Sequence, residues 1–179
     1  MAKIHNDKYY TPDPVVRKVI EVLEKDVMPI NKFSRIIEPS AGAGAFLKRL
    51  PKTAIGYDIE PQGENIIKGD YLKQKVPYMK NSLVIGNPPF GSSGNLHTEF
   101  IKKSMEHSDY VAFVLPGDMY KKDKLENIEL YKSYMLPAVK YSGVKLRCCF
   151  NIYRKRKGKL KEKNIKDAEI LTFSKTKNT

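Results

Sequence analysis

The chain is 179 residues long, 41% apolar and 30% charged, which suits a single domain able to bury a real core. Lys and Arg outnumber Asp and Glu by 33 to 20, a net charge of +13 that draws polyanions: nucleic acid is the expected partner, an anionic membrane surface a lesser one. Two adjacent cysteines (148 and 149) exclude a disulfide framework, and three scattered histidines (5, 97 and 107) exclude a metal site of ordinary ligand spacing. No apolar run reaches membrane-spanning length and the N-terminus lacks a signal core, so the expectation is a cytoplasmic protein with no membrane attachment.

Residues 1–8 are polar and are expected to be loose. Thr11-Pro12-Asp13-Pro14 then carries the marks of a helix start: a hydroxyl at the cap, Pro at the first position and an acid in the first turn. Val15, Val16, Val19, Ile20 and Leu23 recur at helical spacing and form one apolar stripe, closed by Pro29. On capping grounds alone Thr11 needs no other role.

Ile36-Ile37 reads as a short strand, Glu38-Pro39-Ser40-Ala41-Gly42-Ala43-Gly44 as a small-residue turn, and Ala45 to about Leu50 as a helix. Small residues let a backbone approach a ligand closely and adopt positive φ. No Lys-Ser/Thr pair follows the glycines, which argues against a triphosphate P-loop. Ala54-Ile55-Gly56-Tyr57-Asp58 is a second strand ending in an acid, placed where such folds bind ribose hydroxyls. Ile66 to Leu72 holds a third strand, with Asp70 able to accept from an exocyclic amine and Tyr71 able to cover a purine face. Any one of these carboxylates is an ordinary turn acid; three at successive strand tips make a site.

Leu83-Val84-Ile85-Gly86 is an apolar run that stops in Asn87-Pro88-Pro89-Phe90. Proline has no N–H and cannot continue a central strand, so this strand ends at the carboxyl edge of its sheet, where α/β folds bind ligands. A helix is expected over 97–105, a strand buried on both faces over 110–116, a helix with outward charges over 123–136, and β-prone segments at 144–153 and 168–173. From Arg154 onward ten Lys or Arg stand against three acids. Residues 154–167 are thus a basic loop or tail, either solvated or contacting phosphates through Arg154, Lys155, Arg156 and Lys157. No internal repeat and no second domain is visible in residues 1–179.

Over residues 9 to 155 the chain resembles the class I S-adenosylmethionine-dependent methyltransferases that modify the N6 amine of adenine, with motifs in the order of the gamma-type DNA enzymes. The resemblance implies a Rossmann-like α/β fold: a mostly parallel central sheet, helices on both faces, and an antiparallel strand toward the C-terminus. It implies S-adenosylmethionine as cofactor, with Thr11-Pro12 beside Tyr10 at the methionine end. Glu38, Pro39, Ser40, Ala41, Gly42, Gly44 and Phe46 belong to the loop along the methionine moiety, Asp58 and Ile59 to the ribose site, and Asp70 and Tyr71 to the adenine site. Asn87, Pro88, Pro89 and Phe90 match the catalytic tetrapeptide, with Phe in place of the commoner Tyr; Asn87 also borders the cofactor.

Family members that act on duplex DNA usually carry a further domain that reads the target, whereas here the core nearly fills the chain. Single-stranded, RNA or partner-guided substrates become more credible, for a chain taken as a monomer. DNA ranks slightly ahead of RNA, and RNA adenine methyltransferases of ribosomal or cap-proximal type, which share Asn-Pro-Pro-Phe, are the alternative. Glutamine methylation on proteins, which uses a similar site, is the more distant alternative, and a binding protein with a vestigial cofactor fold is another. Cys148 and Cys149 lie in a late strand away from the motif, against a cysteine-nucleophile mechanism.

Overall fold

The computed structural model describes residues 9–92 and 94–158. Five strands lie parallel in one sheet: β1 (Arg35–Glu38), β2 (Ile55–Asp58), β3 (Ile66–Lys68), β4 (Ser82–Gly86) and β5 (Tyr110–Pro116). The chain continues through β6 (Ile128–Met135), a separate hairpin of β7 (Val139–Tyr141) and β8 (Val144–Leu146), and β9 (Cys148–Lys155). The seven-stranded order is β3-β2-β1-β4-β5-β9-β6, with β9 antiparallel to both neighbours. This is the expected mostly parallel α/β sheet with an antiparallel C-terminal strand.

Alternate residues of each strand face opposite sides, and the sheet is covered on both. Ile36, Leu83, Ile85, Ala112, Val114, Phe150 and Ile152 share one core with helix α1 (Asp13–Asp26), which buries Val15, Val16, Val19, Val22 and Leu23. Ile37, Val84, Val111, Phe113 and Leu115 share the other with Phe100, Ile101 and Met105 of helix α2 (Leu96–His107). Full burial of each such side chain stabilises by roughly 1.5–3 kcal/mol, which is what docks helices this short.

Two expected helices are absent. Residues 45–50 make only a 3-10 turn at Leu47–Arg49, because Gly44 sits at φ +83° and Pro51 follows closely, leaving no length for an α-helix. Residues 128–135, expected as helix, form the strand β6, in which Ile128 and Leu130 are buried alternately against β9. A bulge between Leu130 and Lys132 shifts the alternation, so the period-two signal is broken in the sequence. The expectations for residues 1–8, 159–167 and 168–173 lie outside the described residues.

Strand direction fixes what lies at each edge. Because β9 opposes β5, it begins at the edge where β4 and β5 end, and β6 finishes there. The connection 136–147, with its hairpin, therefore belongs to the same edge as Asn87. Residues 154–157 belong to the opposite one.

Candidate active site

Chain crossovers leave β1 toward β2 and β4 toward β5, so the sheet has a topological switch point between β1 and β4. A cavity of about 410 Å³ opens there. From β1 and its turn it is lined by Glu38, Pro39, Ser40, Ala41, Gly42 and Phe46. From the tips of β2 and β3 it is lined by Asp58, Ile59, Asp70 and Tyr71, and from the opposite wall by Tyr10, Thr11, Asn87 and Pro89. These are fourteen of the eighteen residues expected from sequence; Pro12, Gly44, Pro88 and Phe90 do not line it.

The glycine turn is held by the neighbouring strand. Gly42 adopts φ +55°, and its N–H donates to Asp58 Oδ2 at 2.7 Å while Glu60 N–H donates to Asp58 Oδ1 at 2.8 Å. A side chain at Gly42 is strained by that φ and meets the Tyr10 ring at 3.0 Å, so the turn is shaped for close approach. Glu38 is buried, and its Oε2 accepts from Leu47 N–H at 3.1 Å. Burial, reinforced by the Asp58 charge, pushes its carboxyl well above the usual carboxylate range. Asp70 caps the 3-10 turn Tyr71–Lys73 by accepting from Leu72 N–H at 3.0 Å.

Tyr71 borders the cavity but is 1% exposed. Its ring stacks on Phe100 with centroids 5.6 Å apart, and its hydroxyl reaches His107 Nε2 at 2.6 Å and Ser104 Oγ at 2.9 Å. Arg35 Nη2 lies 3.3 Å from His107 Nδ1 and donates to the His107 carbonyl at 2.9 Å. Guanidinium has only donors, so Nδ1 accepts and the neutral ring carries its proton on Nε2. The chain of donors runs from Arg35 through His107 and Tyr71 to Ser104, whose hydroxyl ends on the Phe100 carbonyl at 2.7 Å. Burial, helped by the Arg35 and Lys103 charges, holds His107 down to about 4.

Asn87 stands at the end of β4. Its Nδ2 donates to the Tyr9 carbonyl at 3.0 Å and to Thr11 Oγ1 at 3.1 Å, while its backbone carbonyl accepts from Ser40 Oγ at 2.9 Å. Both amide hydrogens are thereby used, and Oδ1 has no hydrogen-bond partner among the described residues. Thr11 is thus not the helix cap expected: Pro12 occupies that position, and no side chain caps α1. Its hydroxyl, 6% exposed as a residue, orients the Asn87 amide instead. Phe90 is half-buried, its ring 5.8 Å from Tyr9 and edge-on to His97 at 6.4 Å.

Sequence reasoning missed Tyr9, Ala45, Glu60, Gly69, Leu96 and Phe100 as lining residues. Glu60 had a signal, a second acid two positions past the tip of β2; the others had none separable from packing. The basic run requires correction as a loop, since its first two residues continue a strand. Arg154 and Lys155 belong to β9, with Arg154 paired to Glu129 at 2.8 Å and lying 4.1 Å over the Tyr131 ring. The Arg156 side chain is 6% exposed and joins Asp123 and the Leu125 and Ile128 carbonyls. Lys157 is exposed and Lys155 lies over the Tyr78 ring. The cysteines are buried in β9, and burial pushes the Cys148 thiol up to about 11, so neither supplies a thiolate.

No family model and no curated protein matches the chain. Among solved structures it is similar to a candidate class I S-adenosylmethionine-dependent methyltransferase from Listeria monocytogenes, with a TM-score of 0.68 and 18% identity over 97% of this chain and 69% of that one. It is similar to the M protein of the type I restriction enzyme EcoKI (TM-score 0.61, 17% identity), covering 87% of this chain but 45% of that one. The 23S rRNA methyltransferase ErmE gives a TM-score of 0.60 at 13% identity, over 87% of this chain and 73% of that one. The chain has the Rossmann-like fold of the class I S-adenosylmethionine-dependent methyltransferases.

Proposed function

We propose that the chain transfers the methyl group of S-adenosylmethionine to the exocyclic N6 amine of adenine in nucleic acid, with DNA ahead of RNA. The observation that carries this reading is the Asn87 amide, fixed by two donated hydrogen bonds so that its oxygen is the group left for a substrate. The cavity suits the cofactor in chemistry. Glu38, Asp58, Glu60 and Asp70 put four carboxyl groups around it, matched to a ligand with a cationic end and ribose hydroxyls, and the Gly42 turn allows close approach. When bound, the cofactor supplies an electrophilic methyl group.

The remaining work falls to this chain. The N6 lone pair of adenine is delocalised into the ring, so the amine is a poor nucleophile. Asn87 Oδ1 and the Pro88 carbonyl accept its two hydrogens, which favours a more tetrahedral nitrogen with a directed lone pair. The two prolines hold those acceptors rigid, so orientation is fixed before the substrate arrives. Phe90, packed on Tyr9, offers an aromatic face to a base taken out of its stack, worth about 1–3 kcal/mol. No covalent enzyme intermediate is needed.

The test is radiolabelled methyl transfer to single-stranded DNA, duplex DNA and RNA, with Asn87→Ala beside the wild type. Labelling of DNA that falls roughly 100- to 1,000-fold in the variant, with cofactor affinity held within about twofold, is expected for loss of an oriented acceptor. Labelling of RNA alone transfers the reading to an RNA adenine methyltransferase, and labelling of protein alone to a glutamine methyltransferase. An unchanged rate in Asn87→Ala refutes the mechanism.

A further inference from the structure

The β7–β8 hairpin is a cationic feature at the catalytic edge, and the proposed reaction leaves it without a role. Lys140 and Lys145 are direct cross-strand partners in it, and both are exposed. Like charges placed opposite one another in a ladder destabilise it, and their Cβ atoms stand only about 5 Å apart. The connection 136–147 adds the exposed Arg147 and contains no acid. None of the three cations has an ion-pair partner among the described residues. Tyr141, one position along, is fully buried, so the lysine pair faces away from the core.

The hairpin is also tied to the site. Ser142 at its turn accepts from Tyr10 N–H at 2.8 Å, and the next residue, Thr11, accepts from Asn87. At its other end the Arg147 carbonyl accepts from Gly117 N–H at 3.0 Å, directly after β5. The basic run at 154–157 lies at the opposite edge, with Arg154 and Arg156 engaged in internal pairs.

We propose that Lys140, Lys145 and Arg147 bind the sugar-phosphate backbone of the substrate strand and hold it across the Asn87 loop, an inference that rests on the nucleic-acid reading above. An anion between the two lysines removes their mutual repulsion, which explains why the pair is kept on a hairpin it weakens. The contact is to phosphate and carries no base preference.

The test measures binding and not turnover, so it is separate from the chemistry. A fluorescently labelled single-stranded oligonucleotide, as DNA and as RNA, is titrated by anisotropy at several salt concentrations. The proteins are the wild type, the triple variant Lys140→Gln/Lys145→Gln/Arg147→Gln, and a control, Lys32→Gln/Lys80→Gln, at exposed lysines of the amino edge. In whichever polymer the wild type binds, the triple variant is expected to bind about tenfold more weakly. Its slope of log affinity against log salt should be shallower by roughly two, as for three phosphates on a single strand. The control should match the wild type. The triple variant should melt no lower than the wild type, since a like-charge pair is gone, and should bind S-adenosylmethionine normally. Unchanged affinity and slope in the triple variant, or an equal loss in the control, overturns the assignment of the hairpin alone. A wild type that binds neither polymer overturns this inference and the nucleic-acid reading together.

Discussion

Thr11→Val isolates what the Thr11 hydroxyl does. Valine keeps the shape of the side chain and removes only the acceptor for Asn87 Nδ2, which lies 3.1 Å away. The Tyr9 carbonyl at 3.0 Å keeps one amide hydrogen, and the other, on a half-buried side chain, can turn to water, so the stability loss should stay near 1 kcal/mol. The effect on turnover follows from orientation. With one of two anchors gone, the Asn87 amide turns more freely and presents NH₂ to the substrate part of the time. A loss of about 1–1.4 kcal/mol of positioning corresponds to a roughly five- to tenfold fall in kcat. Thr11→Ser, which keeps the hydroxyl, should retain most of the rate. Steady-state release of the demethylated cofactor product gives kcat, calorimetry gives cofactor affinity, and urea unfolding gives stability. A Val variant with full kcat, or a Ser variant as slow as Val, would refute the orienting role. A helix cap would show the reverse pattern, with stability lost and kcat intact.

The buried Glu38 carboxyl, held well above its usual range, is predicted to ionise when a cationic cofactor enters, so binding releases protons. Calorimetry in buffers of different ionisation enthalpy should show that release, and Glu38→Gln should abolish it; equal release from the variant contradicts the assignment. His107 is held down to about 4 in the folded chain against 6.5 unfolded. Between those values the unfolded chain binds more protons, so this contribution is intact above pH 6.5, declines as pH falls and levels off near 4. The loss is on the order of 1–3 kcal/mol, read as the difference between wild type and His107→Gln in urea unfolding from pH 7.5 to 4.5. Parallel curves for the two proteins would remove His107 from the account.

The legible parts of this fold were those whose signal is local. Ile36-Ile37, Tyr57-Asp58 and Leu83 to Gly86 are short apolar runs cut off by acids, glycine or proline, and each became a parallel strand that brings Glu38, Asp58 or, one residue past β4, Asn87 to the cavity. What was misread depended on distant partners. Residues 128–135 look helical from their Lys and Glu content, but β9 decides their state, and the bulge hides the alternation. Thr11 carries a good capping signal, yet its hydroxyl partner is 76 residues away. The run from Arg154 to Lys157 is indistinguishable from a solvated charge block until Glu129 and Asp123 are found beside it. Conversely, Lys140 and Lys145 look like two scattered surface lysines until the ladder sets them face to face.

In the proposed reaction the Asn87 oxygen activates the N6 amine of adenine. This activation is tested most directly by incubating the chain with isotopically labelled S-adenosylmethionine and mixed DNA and RNA, digesting the products to nucleosides and identifying the labelled one by mass spectrometry. Label is expected in N6-methyl-2′-deoxyadenosine and absent with Asn87→Ala. Label in a methylated cytosine or on the ribose, or in any nucleoside with Asn87→Ala at the wild-type level, would contradict it.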